Sequence, residues 1–264
     1  MQEFNIKTKT SGKCRVYPDN PQGLVPSVTS ITGCTDKPVL RQWAANCAVD
    51  YIDSFTDEKG YVQCTEVFHD ARTAYKTISQ EALDTGTDIH ELCQLYLEDK
   101  VLPLDKADDI TIKMMGNFKI WCVKNEIKPV EVEIKLHGDG YSGRCDLIAY
   151  RKGKLGLYDI KTSKAYYPEM GLQLAAYAKA WKDTEPPSME IKEIGIIRLD
   201  KKTGSCNFSE KKTKLNPNGK FTPDRERLER AFMSLKDFYW QFNDLETQFN
   251  LIKNPVKNIF EGME

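Results

Sequence analysis

The sequence predicts an α/β protein, and three observations carry that reading. The stretch 141–161 reads as two short strands around a tight polar turn. Just upstream, Val130–Leu136 (VEVEIKL) alternates apolar and polar residues as a half-buried strand does. Downstream, Pro168–Trp181 has helical character but is apolar nearly all round, so it must cover a sheet. From Thr87 to Leu199 the order is helix, strand, strand, strand, helix, strand.

Taken in order, Gln2–Tyr17 alternates weakly, as an edge strand or hairpin arm does, and 18–26 is a Pro/Gly/Asn-rich connection. Pro26–Gly33 (PSVTSITG) sets hydroxyls before a helix starting near Lys37. These hydroxyls suit helix capping first and phosphate contact second. The helix 37–55 carries Leu40, Trp43, Ala44, Cys47, Ala48 and Tyr51 on one face. A second helix is expected over 67–84, a turn at Gly86, and a third helix over 87–98, where His90 borders an apolar side made by Ile89, Leu92, Cys93, Tyr96 and Leu97.

A further helix spans 107–124 with Ile110, Ile112, Met115, Phe118, Ile120 and Trp121 largely buried. Strict alternation in Val130–Leu136 puts Val130, Val132, Ile134 and Leu136 on one face and Glu131, Glu133 and Lys135 on the other. Those acids either extend a site or form the solvent face of an edge strand. After the hairpin, the loop Thr162–Tyr167 presents Ser163 and Lys164. Glu193–Leu199 is another strand, and Asp200–Gly204 turns toward Ser205–Phe208. Lys201–Lys214 is rich in lysine, and Thr222–Pro223 opens a last helix, running to about Phe249, with Leu228, Phe232, Leu235, Tyr239, Phe242 and Leu245 as its stripe.

Composition narrows the class. A chain of 264 residues holds one large domain or two small ones, and nothing forces a second. Formal net charge is −1, which disfavours tight non-specific nucleic-acid binding but permits a local basic groove. Eight cysteines without a CxxC pair, and no apolar N-terminal leader, suit a reduced cytoplasmic setting. No run approaches a membrane span, so no membrane partner is expected.

The chemistry concentrates in the hairpin. A turn centred between Lys152 and Gly153 sets Asp146 directly opposite Asp159, their Cβ atoms roughly 5 Å apart. Adjacent carboxylates need a cation or a shared proton. Lys161 lies on the face of Asp159, and Arg144 faces Lys161 in the same register. Oxygen-rich sites of this kind suit Mg²⁺ or Mn²⁺, with the Ile160 carbonyl as a further ligand. Such an ion supports phosphodiester hydrolysis, and Lys161 would hold or help deprotonate the attacking water. On these residues alone, a solvent-facing hairpin of mixed charge is an equal alternative.

The set Gly143–Asp146 (GRCD), Asp159–Lys161 (DIK) and Gln173–Tyr177 (QLAAY) resembles the PD-(D/E)xK nuclease superfamily, and within it the RecB-type exonuclease branch. The segment at Pro26 and the pattern of Leu40, Trp43 and Ala44 are similar to phage and prophage members. The resemblance implies a restriction-endonuclease-like αβββαβ core with a mixed central sheet, extra N-terminal helices and a long C-terminal helix. It implies metal ligands at His90, Asp146 and Asp159, a catalytic Lys161, a helix pair at Gln173 and Tyr177, and a Glu aligned with Glu133. Asp159 stands where many relatives have Glu. Some relatives carry an iron-sulfur cluster on a tight C-terminal Cys group; only Cys206 lies beyond Cys145, so none is expected here.

The implied organisation is a single nuclease domain over 1–264: a helical lead-in at 1–84, a catalytic core at 85–200, and the basic turn with the C-terminal helix at 201–264. The implied activity is a Mg²⁺- or Mn²⁺-dependent deoxyribonuclease, an exonuclease working on free DNA ends in phage-type recombination or repair. Arg144, Ser163 and Lys164 are the DNA-contacting candidates. The implied partners are DNA and a recombination or helicase protein, with a homo-oligomer also compatible. Two rivals stand beside this: an endonuclease of the same superfamily, and a non-catalytic DNA-binding protein with the fold. Polarity, strand preference and RNA as substrate stay open.

Overall fold

The computed structural model describes residues 15–35, 38–58, 60–62, 66–105, 107–209 and 225–253; within these, the side chains of 38–39, 81–87 and 244–253 are not described. The elements are β1 (Val16–Asn20), β2 (Gly23–Pro26), α1 (Val28–Thr32), α2 (Pro38–Asp53), α3 (Glu66–Ala71), α4 (Ala74–Leu97) and α5 (Asp109–Lys124). After them come β3 (Lys128–Gly138), β4 (Tyr141–Arg151), β5 (Lys154–Lys161), α6 (Pro168–Thr184), a 3₁₀ turn (Pro187–Met189), β6 (Glu193–Leu199), β7 (Cys206–Phe208) and α7 (Arg225–Lys253).

The centre is a five-stranded mixed sheet in the order β3-β4-β5-β6-β7. All pairs are antiparallel except β5 and β6, which run parallel because α6 carries the chain across between them. The α/β class and the αβββαβ order are therefore as expected. One face of the sheet is covered by α6, α1 and α7, around Val28, Ile31, Leu174, Trp181 and Phe232. The other is covered by α4 and α5, around Ile89, Cys93, Met114, Met115 and Phe118. No helix among the described residues is long and apolar enough to cross a membrane.

The hairpin register is the predicted one: Leu147 pairs with Tyr158 and Arg151 with Lys154. Lys152 and Gly153, at φ 48° and 78°, form the two-residue turn, whose residues take the left-handed backbone region and whose twist thereby matches the right-handed twist of the strands. Elsewhere the structure corrects the sequence. The connection at 18–26 is the β1–β2 hairpin; its turn is held by Asn20, whose Oδ1 accepts the Gln22 N–H at 2.9 Å. Asn20 also donates to the Gly138 and Tyr141 carbonyls, docking this hairpin on the β3–β4 turn.

The residues 26–33 contain a short helix of their own, α1, capped by Ser27, whose Oγ accepts the Ser30 N–H at 2.9 Å. The break expected at Gly86 does not exist. One helix, α4, runs through it, since an interior glycine costs only about 1 kcal/mol. Leu40 on α2 and Ile112 and Ile120 on α5 are exposed, while Met114 and Cys122 take the buried places on α5. Most of Gln2–Tyr17 and the Thr222–Pro223 helix start lie outside the described residues.

Strict alternation fails in β3. The register shifts between Pro129 and Glu131, and Glu133 has φ +53°, a left-handed conformation unusual for a residue inside a strand. Val130, Ile134 and Leu136 consequently pack on the α6 face, whereas Val132 packs on the α4–α5 face.

Candidate nuclease active site

The regular ladder between β4 and β5 stops at Leu147 and Tyr158. Beyond it, the next amide on β5 that would face β4 finds a side chain: the Ile160 N–H donates to Asp146 Oδ2 at 2.6 Å. β5 meanwhile keeps pairing with β6 as far as Lys161 and Arg198. The two strands part at the point where Asp146 and Asp159 follow the last ladder pair, so neither residue sits in the β4–β5 ladder.

Three elements converge there. His90 from α4, Glu133 from β3 and Asp146 from β4 each offer a ligand atom, all within 4.8 Å of one another, and His90 Nδ1 lies 3.5 Å from Asp146 Oδ2. The left-handed backbone of Glu133 belongs to this arrangement; strain of that kind costs about 1–3 kcal/mol and persists where surroundings enforce it. Asp159 stands outside the trio, 1 % exposed, with Oδ2 2.6 Å from Lys161 Nζ. Despite that ion pair, neither Asp159 oxygen has a well-aligned hydrogen-bond partner among the described residues. The Lys161 ammonium is the cation that offsets the cost of burying this carboxylate.

Burial dominates the electrostatics. It pushes Asp146 up to about 6 against the pull of Lys161 and the Ile160 N–H, and Asp159 up to about 6 against Lys161, with Asp146 adding to the rise. Glu133 is also raised by burial, which Arg144 partly offsets. His90 is driven down to about 4 by burial and by Lys161, so its ring is neutral at pH 7 and free to ligate. Burial pulls Lys161 down, but Asp159 and Asp146 outweigh it, and its ammonium is held above the usual lysine range.

The family model of the PD-(D/E)XK nuclease superfamily matches residues 66–254, most of the chain and all of this site. The chain belongs to the PD-(D/E)XK nuclease superfamily. No match is found among curated proteins. Nucleases of this superfamily use divalent metals, and the residues here fit one: a mixed His and carboxylate donor set, its ligand atoms within 4.8 Å of one another. The Ile160 backbone also interacts with the His90 ring, raising its basicity as an accepting carbonyl does, so that carbonyl borders the same space.

Of the other residues expected at the nuclease site, Gln173 and Tyr177 face the sheet from α6. Gln173 Nε2 donates to the Tyr177 hydroxyl at 3.0 Å, and both are buried, which answers the need of Gln173 for a polar partner. Gly143 makes this approach possible, because a Cβ there would sit 2.3 Å from the Tyr177 ring. Tyr177 is raised well above the usual tyrosine range by burial, with Asp159 second. Arg144 does not face Lys161; it pairs with Lys135 across the ladder and reaches Glu133 at 3.7 Å, since the β4–β5 register ends before it. Ser163 and Lys164 line a cleft of about 700 Å³ that also touches His90 and Lys161. Sequence reasoning missed Arg198, which binds the Ser163 and Lys164 carbonyls. Apart from Asp200, two residues on, its partners are backbone groups of a distant loop, which leave no sequence signal.

Proposed function

We propose that this chain is a divalent-metal-dependent deoxyribonuclease that works as an exonuclease on free DNA ends, in the manner of RecB-type enzymes of phage recombination or repair. Residues 85–200 would form its catalytic core, with the described parts of 1–84 and 201–264 around it. The observation that carries the reading is the parting of β4 and β5, which leaves Asp146 and Asp159 beside one ammonium group, with His90 and Glu133 from two other elements.

Asp146, His90 and Glu133 would hold the ion, with Asp159 and the Ile160 carbonyl completing its surroundings. When bound, the ion supplies charge neutralisation for the phosphate and acidifies water. Lys161, kept as an ammonium by Asp159 and Asp146, donates to the attacking water and offsets charge growing on the phosphate oxygens. Its role is thus to orient the nucleophile rather than to take its proton. Glu133 is held by Arg144, so Arg144 acts through it. The Gln173–Tyr177 pair fixes the sheet-facing side of the site. Ser163 and Lys164 contact the DNA strand entering it.

The test is degradation of end-labelled linear DNA and closed circular DNA with Mg²⁺, Mn²⁺ or EDTA, by wild type and Lys161→Ala. Metal-dependent release of nucleotides from linear DNA alone, lost in Lys161→Ala, is the expected result. Cutting of the closed circle makes the chain an endonuclease. Binding without cleavage under any metal makes it a non-catalytic DNA-binding protein.

A further inference from the structure

The cleft beside Lys161 is bounded by two separate loops and by Ser79 of α4. The β5–α6 loop brings Ser163 and Lys164; the β6–β7 turn brings Lys201 and Lys202. With Lys161, four ammonium groups surround one opening in a chain whose formal net charge is −1. That local excess of positive charge matches a row of phosphates rather than a single one.

Both loops are fastened to one side chain. Arg198 NH1 donates to the Ser163 carbonyl at 3.1 Å, to the Lys164 carbonyl at 3.3 Å and to Asp200 Oδ2 at 2.9 Å. The same guanidinium lies 5.7 Å from the centre of the Tyr166 ring. Asp200 Oδ1 in turn accepts the Lys202 and Thr203 N–H groups, each at 3.0 Å, which shapes the turn. The backbone of Arg198 pairs with Lys161 in the β5–β6 ladder, so this clamp is anchored in register with the reactive lysine.

We propose that Arg198 is a positioning residue, and that the two lysine-bearing loops it clamps hold the backbone phosphates of a polynucleotide strand next to the scissile one. This rests on the nuclease reading above and extends it from the reacting phosphate to its neighbours. A planar guanidinium can serve a carboxylate and loop carbonyls from fixed directions, which a lysine ammonium on a flexible stem does not reproduce. Charge alone is therefore insufficient: the loops must be oriented.

The experiment compares full-length wild type, Arg198→Lys and Lys201→Ala/Lys202→Ala. Binding of a labelled single-stranded oligonucleotide is followed by fluorescence anisotropy in EDTA at several salt concentrations, with a mononucleotide as competitor. Cleavage is measured separately with Mg²⁺. The double variant should bind about tenfold more weakly, with the slope of log affinity against log salt shallower by about 1 to 2. Arg198→Lys, whose charge is unchanged, should also bind about tenfold more weakly, and in cleavage raise KM with kcat within about twofold. The double variant alters surface side chains, so it carries the test if Arg198→Lys fails to fold.

Wild-type affinity and salt slope in the double variant would overturn the proposal, as would a mononucleotide that competes as well as the oligonucleotide. A wild type that fails to cleave, yet binds in a way that depends on these lysines, would sink the nuclease reading and support the cleft.

Discussion

The two ends of the β4–β5 hairpin use the same kind of strand for opposite purposes. At the turn end, five residue pairs from Leu147–Tyr158 to Arg151–Lys154 run uninterrupted, and the backbone groups satisfy one another. At the other end the ladder is abandoned, a carboxylate takes the Ile160 N–H, and Asp159 is buried without well-aligned partners. One end is built for stability. The other gives stability up so that charged groups can crowd together, and a change at each end should therefore be read by a different instrument.

The largest effect belongs to the open end. Lys161→Ala should lower kcat by about 10²–10³, measured on labelled linear DNA, while circular dichroism shows the fold intact. A variant that kept full activity would remove Lys161 from the chemistry.

Next is metal affinity. Asp146 and Asp159 titrate near 6 in the metal-free protein, and each bound proton must leave before an ion can use that carboxylate. Affinity for Mn²⁺ by calorimetry should be level above pH 7 and fall as pH drops through 6, while His90, near 4, stays neutral over that range. The stability effect has the opposite sign. A carboxyl raised above its unfolded value favours the folded state at low pH and loses that contribution as pH rises through about 6. The metal-induced rise in melting temperature should thus be larger at pH 8 than at pH 5.5.

A smaller effect tests the strained strand. At φ +53° any residue with a Cβ is penalised by roughly 1–2 kcal/mol, so Glu133→Gly should be more stable to urea than Glu133→Ala by about 1 kcal/mol, the reverse of the usual order in a strand. Both should bind Mn²⁺ more weakly than wild type. At the turn end, Gly153→Ala should cost about 1 kcal/mol for the same backbone reason, since nothing lies within 4 Å of the added Cβ, and should leave kcat unchanged.

Much of this was legible in the residues. The hairpin register followed from Lys152–Gly153 in a polar turn, although the ladder ends one pair short of Asp146 and Asp159. The apolar helix over Pro168–Trp181 announced the sheet it covers. What could not be read depends on backbone states that hydrophobic pattern does not encode. The left-handed Glu133 and the bulge near Pro129 turned Val132 to the other face, and the early end of the ladder carried Arg144 away from Lys161 to Glu133. Gly86 looked like a break because glycine is a poor helix former, yet its cost is small beside the packing of α4. The β1–β2 hairpin hid behind Pro18, Pro21 and Pro26, residues that suit an edge ribbon as well as a loop.

The parallel partnership of β5 with β6 sets an order of assembly. β4 and β5 meet across two residues, whereas β6 reaches β5 only after α6 has crossed the sheet, and contacts distant in sequence close more slowly. A refolding chain should therefore bring its paired acids together before Arg198 arrives to draw in the lysine-bearing loops, so that nucleic-acid affinity is the last property to return.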